Sequence, residues 1–365
     1  MEKNITSKLG FGCMRLPVNR DGKIDCVLAE KMIDYAYENG INYFDTAWPY
    51  HDGESEIFIG KALKKYPRES FWLADKMPMS KIEKKEEVRE IFEKQLEKCQ
   101  VEYFDNYLCH ALNKDNWQKV LNFGVLDYLK EQKKLGKIKH LGFSFHDSRD
   151  VLKTILDRED WDFVQLQLNY YDVTNGDAQQ LIDLAAEHNV PIFVMEPIRG
   201  GFLARCVPDA ITEIENAYGK NSAPALRLCY AFNIKGVKVV LSGMSTMEQV
   251  VENVATAKNP IPMDEKAEKV IKDVMDDINS FVTVPCTKCR YCMPCPAGLD
   301  IPEIFRIYND WCLFKNSRRT LDEIEKLEKK PADCVNCKKC MRVCPQRLEI
   351  PEIMKKIAAE FSEIK

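Results

Sequence analysis

The sequence predicts an α/β protein: a (β/α)8 barrel over residues 1–280, followed by a small helical domain over 281–365. Three observations predict it. Eight short apolar segments alternate with helix-period segments over about 260 residues, the pattern of a (β/α)8 barrel. No G-x-G-x-x-G turn follows the first strand, as a doubly wound open sheet would require. Two runs of four cysteines fall in the last eighty or so residues, in a chain whose 365 residues exceed the usual single-core limit of about 250–300.

The strands read, in order, as Leu9–Cys13, Tyr43–Asp45, Phe71–Lys76, Asn106–His110, His140–Phe145, Phe163–Asn169, Pro191–Met195 and Val237–Leu241. Each is short and predominantly apolar. Helical periodicity fills the gaps over Leu28–Asn39, Glu54–Tyr66, Lys84–Cys99, Val120–Leu135, Ala178–His188 and Ala223–Phe232. Gly40 and Gly136 stop two of these helices, because glycine accepts the left-handed conformation that closes a helix.

Composition excludes several classes. Hydrophobic content of 45% and charged content of 30% describe a globular chain,. A net charge of −4 gives no nucleic-acid footprint,. Met1 to Gly10 lacks the apolar core of a secretory signal, and no apolar run approaches the roughly 20 residues that span a bilayer. A cytoplasmic protein without membrane or nucleic-acid partners is expected. In a reducing compartment, Cys13, Cys26, Cys99, Cys109, Cys206, Cys229 and Cys312 are expected to be plain thiols,.

A barrel places its chemistry at the C-terminal ends of its strands. The polar residues there are Asp45, Lys76, His110, Ser144, Asn169, Glu196 and Ser242. Asp, Lys and His close three successive strands, and Tyr50 follows Asp45 by five residues. Singly, each has an ordinary structural explanation; together, on one barrel face, they form a candidate site.

These residues carry a resemblance to the aldo-keto reductase family. Tyr43-Phe44-Asp45-Thr46-Ala47, Tyr50, Gly53-Glu54-Ser55-Glu56 and Ile59-Gly60-Lys61-Ala62-Leu63 look like its most recognisable signature. Lys76, Asp105 to His110, and Gly136-Lys137-Ile138 leading to Gly142-Phe143-Ser144 extend the likeness over roughly residues 5–275. The resemblance implies a catalytic tetrad of Asp45, Tyr50, Lys76 and His110. Tyr50 would protonate the carbonyl oxygen as hydride reaches the carbon. Lys76, paired with Asp45, is expected to lower the phenol's pKa from near ~10, and His110 to orient the carbonyl. The implied cofactor contacts are Ser144 and Gln165 toward the nicotinamide, Ser242 and Gly243 after the eighth strand, and Glu252 and Asn253 at the adenine.

The sequence departs from the family pattern where Phe145-His146 follows Ser144, in place of asparagine, and where Met195 replaces the stacking aromatic. Ser245 with Glu248 reads as a capping box, opening a helix whose N-terminus suits phosphate. Gly243 and Gln249 stand where NADP-preferring relatives carry cations, so NAD(H) is expected over NADP(H).

The first cysteine run is Cys286-x2-Cys289-x2-Cys292-x2-Cys295-Pro296, the second Cys334-x2-Cys337-x2-Cys340-x3-Cys344-Pro345. The second matches the bacterial ferredoxin pattern and the first is one residue short of it, so two [4Fe–4S] clusters are expected. By that likeness Cys286, Cys289, Cys292 and Cys344 hold one cube, and Cys334, Cys337, Cys340 and Cys295 the other. Zinc ribbons pair separated two-cysteine knuckles instead. Each run precedes a matching phrase, Leu299-Asp300-Ile301-Pro302-Glu303-Ile304 and Leu348-Glu349-Ile350-Pro351-Glu352-Ile353, read as a helix start. The whole resembles a ferredoxin-fused branch of the family with a helical ferredoxin-type domain. Residues 281–365 carry 16 Lys and Arg against 12 Asp and Glu, a balance suited to anionic clusters or an acidic partner.

Three uses of these parts stay open: a nicotinamide-dependent reductase of a small aldehyde, ketone or quinone-like carbonyl; a reductase fed through the clusters by ferredoxin or another redox partner, with little nicotinamide dependence; and a non-catalytic redox sensor or scaffold.

Overall fold

The computed structural model describes residues 4–201, 203, 208–219, 222–279, 284–314 and 317–364; Cys206 lies outside them. Eight parallel strands close into a barrel in sequence order. They are β1 Leu9–Gly12, β2 Tyr43–Asp45, β3 Trp72–Met77, β4 Phe104–Leu112, β5 Ile138–Phe145, β6 Phe163–Gln167, β7 Ile192–Met195 and β8 Val237–Gly243. Every expected strand is present, with ends shifted by up to two residues.

The barrel interior explains the position of the site. Tyr43, Ala74, Leu108, Phe163, Phe193, Val239 and Leu241 form one buried cluster. Gly10 and Gly142 make room for it: a Cβ on Gly10 would come within 2.8 Å of Val239, and one on Gly142 within 2.7 Å of the Phe163 ring. Side chains two residues apart on a strand share a face. The next inward layer toward the C-terminal ends is therefore Asp45, Lys76, His110, Ser144, Gln165 and Met195. The apolar plug forms the floor of the site, and the same alternation that builds the plug delivers the polar residues above it.

Two readings are corrected. The expected helix Val120–Leu135 is two helices, Lys114–Asn122 and Val125–Lys134. Gly124 between them adopts φ 64°, a turn its missing Cβ permits. The helix after β8 spans Met247–Lys258 and is capped by Thr246, which accepts from the Gln249 N–H at 3.2 Å. Ser245 does not cap it; its hydroxyl donates to the Arg15 carbonyl at 2.8 Å.

The chain divides into two compact units, residues 1–197 with 225–263, and 198–224 with 264–365. The second unit is helical. Its buried core includes Leu299, Ile301, Ile304, Phe305, Tyr308, Leu348, Ile350, Met354, Ile357 and Phe361. Both repeated phrases open helices, Ile301–Phe314 and Ile350–Glu363, with proline second in each. No helix of the described residues is long and apolar enough to cross a membrane.

Candidate functional site

Asp45 ends β2 and Lys76 lies near the end of β3; both are buried. The Lys76 ammonium donates to Asp45 Oδ2 at 2.7 Å and to the Thr46 carbonyl at 2.6 Å. Asp45 Oδ1 is buried without a hydrogen-bond partner. Burial raises the Asp45 carboxyl and the Lys76 charge opposes that rise.

Tyr50 enters from the loop after β2. Its ring centroid lies 4.9 Å from Lys76 Nζ and 6.1 Å from the His110 ring, edge-on at 83°. All four tetrad candidates converge above the plug. The expected lowering of the Tyr50 pKa is not found: it is raised well above the usual phenol value, by burial first, then by Asp45 and Glu196. The reason is that Lys76 directs its charge at Asp45 and Thr46, so carboxylates and desolvation dominate at the phenol. Burial, with Lys76 and His146, pushes His110 well below the ordinary imidazole value. A neutral imidazole keeps one N–H to donate.

Ser144 Oγ accepts from the Ala111 N–H at 2.7 Å. Ala111 has φ 53°, and the β4–β5 register shifts there. Ser144 thus pins the bulge that follows His110. Gln165 is buried in the same layer. At the end of β8, Ser242 Oγ accepts from Asn253 at 3.1 Å, Gly243 is exposed, and Glu252 is half-buried. Gln249 is exposed, its Oε1 accepting from the Ser245 N–H at 2.7 Å.

At this rim Arg15 was not singled out from sequence, and Glu196 was noted only as a polar residue at its strand end. Arg15, just past β1, lays its methylenes over Gly243, where a Cβ would meet them at 2.9 Å. Its guanidinium pairs with Glu196 at 3.3 Å. Glu196 holds φ 54°, and its carbonyl accepts from Asn169 at 3.1 Å. The available signal was position: Arg15 follows the one strand whose end had been given no polar residue.

The second unit gathers the cysteines. All fourteen described cysteines are free thiols. Cys286, Cys289, Cys292 and Cys344 line one hollow with Ile301, Phe305 and Leu348 among its apolar walls. Burial first, then the neighbouring Cys289, Cys286 and Cys344, pushes the Cys292 thiol up to about 12. Cys334 and Cys337 are the electrostatic neighbours of Cys340. Cys295 packs against the same core as five other run cysteines, Cys286, Cys292, Cys334, Cys340 and Cys344. Arg199, buried with φ 45°, donates to the Pro285 carbonyl at 3.2 Å and to Gln346 at 3.0 Å, joining the two runs. Among the described residues no three His, Cys, Asp or Glu side chains are gathered as a site for a metal ion.

Comparison with known proteins agrees with the barrel. The pattern of the aldo/keto reductase family matches residues 8–272. A probable aldo-keto reductase of Glycine max is 31% identical over 54% of this chain and 57% of its own length. The L-galactose dehydrogenase of Arabidopsis thaliana is 27% identical, over 75% of this chain and 92% of its own. The NADH-specific methylglyoxal reductase of Escherichia coli is 26% identical, over 64% and 84%. Among solved structures, an aldo-keto reductase from Bacillus halodurans in its holo form superposes with a TM-score of 0.61 at 27% identity, covering 74% of this chain and 92% of that one. The chain is an oxidoreductase that belongs to the aldo/keto reductase family.

Proposed function

We propose that the enzyme reduces a small aldehyde, ketone or quinone-like carbonyl with a nicotinamide cofactor, Tyr50 being the proton donor. The observation that carries this is the convergence of Tyr50 and His110 on the buried Lys76–Asp45 pair above the apolar floor. Bound reduced nicotinamide would supply hydride to the carbonyl carbon. Tyr50, held protonated by its surroundings, gives its proton to the oxygen. His110, neutral, donates to the same oxygen and orients it. The phenolate left behind lies beside Lys76, whose charge favours it. The test is NADH oxidation against a panel of aldehydes, ketones and quinones; no turnover on any of them would sink the reading.

The residues suit the cofactor. Ser144 and Gln165 lie in the inward layer at the floor, and Ser242, Gly243, Glu252 and Asn253 surround the end of β8 beside a helix N-terminus. Gly243 leaves backbone bare there, and a side chain would strike Arg15. Gly243 and Gln249 offer no cation for a 2′-phosphate, and Arg15 is turned to Glu196. NADH should therefore bind at least about tenfold more tightly than NADPH, the worth of one charged hydrogen bond. Equilibrium titration of the quenching of protein fluorescence measures both; tighter NADPH would show that Arg15 leaves Glu196 for the phosphate.

The cysteines suit two [4Fe–4S] clusters in a ferredoxin-type domain. Four thiols stand round a hollow instead of meeting at a point, as they would around one zinc ion at ~2.3 Å from each sulfur. Arg199 is positioned to hold the two runs together. An acidic one-electron carrier such as a ferredoxin suits the second run. Cys337 is exposed, as are Lys338, Lys339 and Arg342, which enter no ion pair among the described residues.

A further inference from the structure

The loop that carries Tyr50 is held in an unusual backbone. His51, Asp52 and Gly53 follow one another in the left-handed region, at φ 50°, 55° and 94°. For His51 and Asp52 this conformation is strained, and it persists only where the surroundings enforce it. A single side chain from the helix Lys85–Cys99 reaches the loop at Trp48 and at Gly53. The Lys98 ammonium sits 3.9 Å above the Trp48 ring and donates to the Gly53 carbonyl at 3.4 Å. Its third contact is Glu56 Oε2, at 2.7 Å.

Glu56 is wholly buried, an uncommon place for a carboxylate. Its other oxygen accepts from Gln95 Nε2 at 2.8 Å. That same amide donates to the Lys76 carbonyl at 3.0 Å, and the Tyr107 hydroxyl donates to Gln95 Oε1 at 2.5 Å. On the other side of Lys76, its N–H donates to Asp75 Oδ1 at 2.8 Å. One network thus runs from the Tyr50 loop, through Lys98, Glu56 and Gln95, to the backbone of Lys76. None of these groups has a role in the chemistry described above.

We propose that Lys98, with its buried partner Glu56, is a positioning residue for Tyr50: it clamps the strained loop 48–53 and ties it to the backbone of Lys76. The inference rests on Tyr50 being the proton donor. Lys98 does not touch the reacting atoms. It fixes where the phenol stands relative to Lys76 and His110, and a misplacement of about 1 Å in such a group can cost about a hundredfold in rate.

The test compares Lys98→Met, Lys98→Arg and the double variant Glu56→Gln/Lys98→Met, each alone and combined with Tyr50→Phe. NADH and methylglyoxal, with a quinone as second acceptor, serve as probes, and thermal melting reports the fold. Lys98→Met should lower kcat by about tenfold to a hundredfold and leave the KM for NADH within about twofold. Lys98→Arg keeps a cation over Trp48 and should recover most of the loss. In the Tyr50→Phe background the same Lys98→Met change should alter the residual rate less than about twofold, because residues acting as one unit are not additive. If Lys98→Met fails to fold with Glu56 left uncompensated, the double variant, which leaves no such charge, should show the same pattern. Equal losses in both backgrounds, or no loss in a folded variant, would overturn the clamp. Full turnover in Tyr50→Phe alone is a different result: it would remove the proton donor and the clamp's purpose with it.

Discussion

Replacing Tyr50 with phenylalanine should lower carbonyl reduction by roughly 10²–10⁴-fold, the contribution general acid catalysis makes. The substitution keeps the ring, which packs edge-on against His110 and is 8% exposed, so the fold should survive. Lys76→Met should do comparable damage by a second route. It removes the cation that receives the phenolate, and leaves Asp45 buried beside an uncharged side chain. Burial already raises the Asp45 carboxyl, so Asp45 takes up a proton instead of unfolding the barrel. The double variant should be little worse than the poorer single one, since the two act together. Full turnover by Tyr50→Phe with a confirmed substrate would transfer the chemistry elsewhere in the protein.

The pH dependence follows from the directions of the shifts. On the proposed mechanism Tyr50 acts as an acid and must hold its proton. Its pKa is raised, so the proton is kept through neutrality and lost only above the free phenol value near ~10. His110 must stay neutral to offer one N–H without holding a charge. Its pKa is lowered, so it stays neutral well to the acid side of its ordinary ~6.5. Reduction measured at saturating cofactor should therefore be flat across neutral pH. An alkaline fall centred near pH 7 would contradict Tyr50 as the donor.

The barrel was legible because each strand is a short apolar run between helical periods, and that contrast survives in one dimension. Strand ends were less so. β4 continues two residues past His110, to Leu112, through a bulge at Ala111. That bulge depends on a hydrogen bond from the Ala111 N–H to Ser144, a residue 33 positions away. The apolar stripe runs on across Val120, Val125 and Leu129, so periodicity alone joined two helices that Gly124 separates.

The site was legible as residue types and not as charges. Inward alternation fixes Asp45, Lys76 and His110 on one layer, and a sequence can show that. The sign of the Tyr50 shift cannot be read there, because it depends on where Lys76 aims its ammonium and on Glu196, which is 146 residues away in the chain. Arg15 and Lys98 were missed for the same reason. A lysine on an amphipathic helix reads as a solvated charge until Trp48, Gly53 and Glu56 are found around it.

Changing Cys344 to serine should cost the same cluster as changing Cys292, although Cys344 belongs to the other run. Two four-iron cubes imply about eight iron and eight inorganic sulfide per chain after anaerobic purification. Three closely spaced cysteines wrap three corners of a cube, and the fourth corner takes a distant thiol. On the proposed reading that thiol is Cys344, which lines the hollow with Cys286, Cys289 and Cys292. Cys292→Ser and Cys344→Ser should each fall to about four iron, and the pair together should fall no further. Cys337→Ser should also fall to about four, but combined with Cys344→Ser it should leave nearly none. Electron paramagnetic resonance of the reduced single variants identifies which cube remains. If Cys344→Ser instead matches Cys337→Ser, each run closes its own cube and the crosswise sharing is wrong. Stoichiometric zinc, with no broad visible absorption in the anaerobic protein, would remove the clusters altogether while leaving the Tyr50 prediction intact, because Tyr50 and its partners lie wholly within the barrel unit.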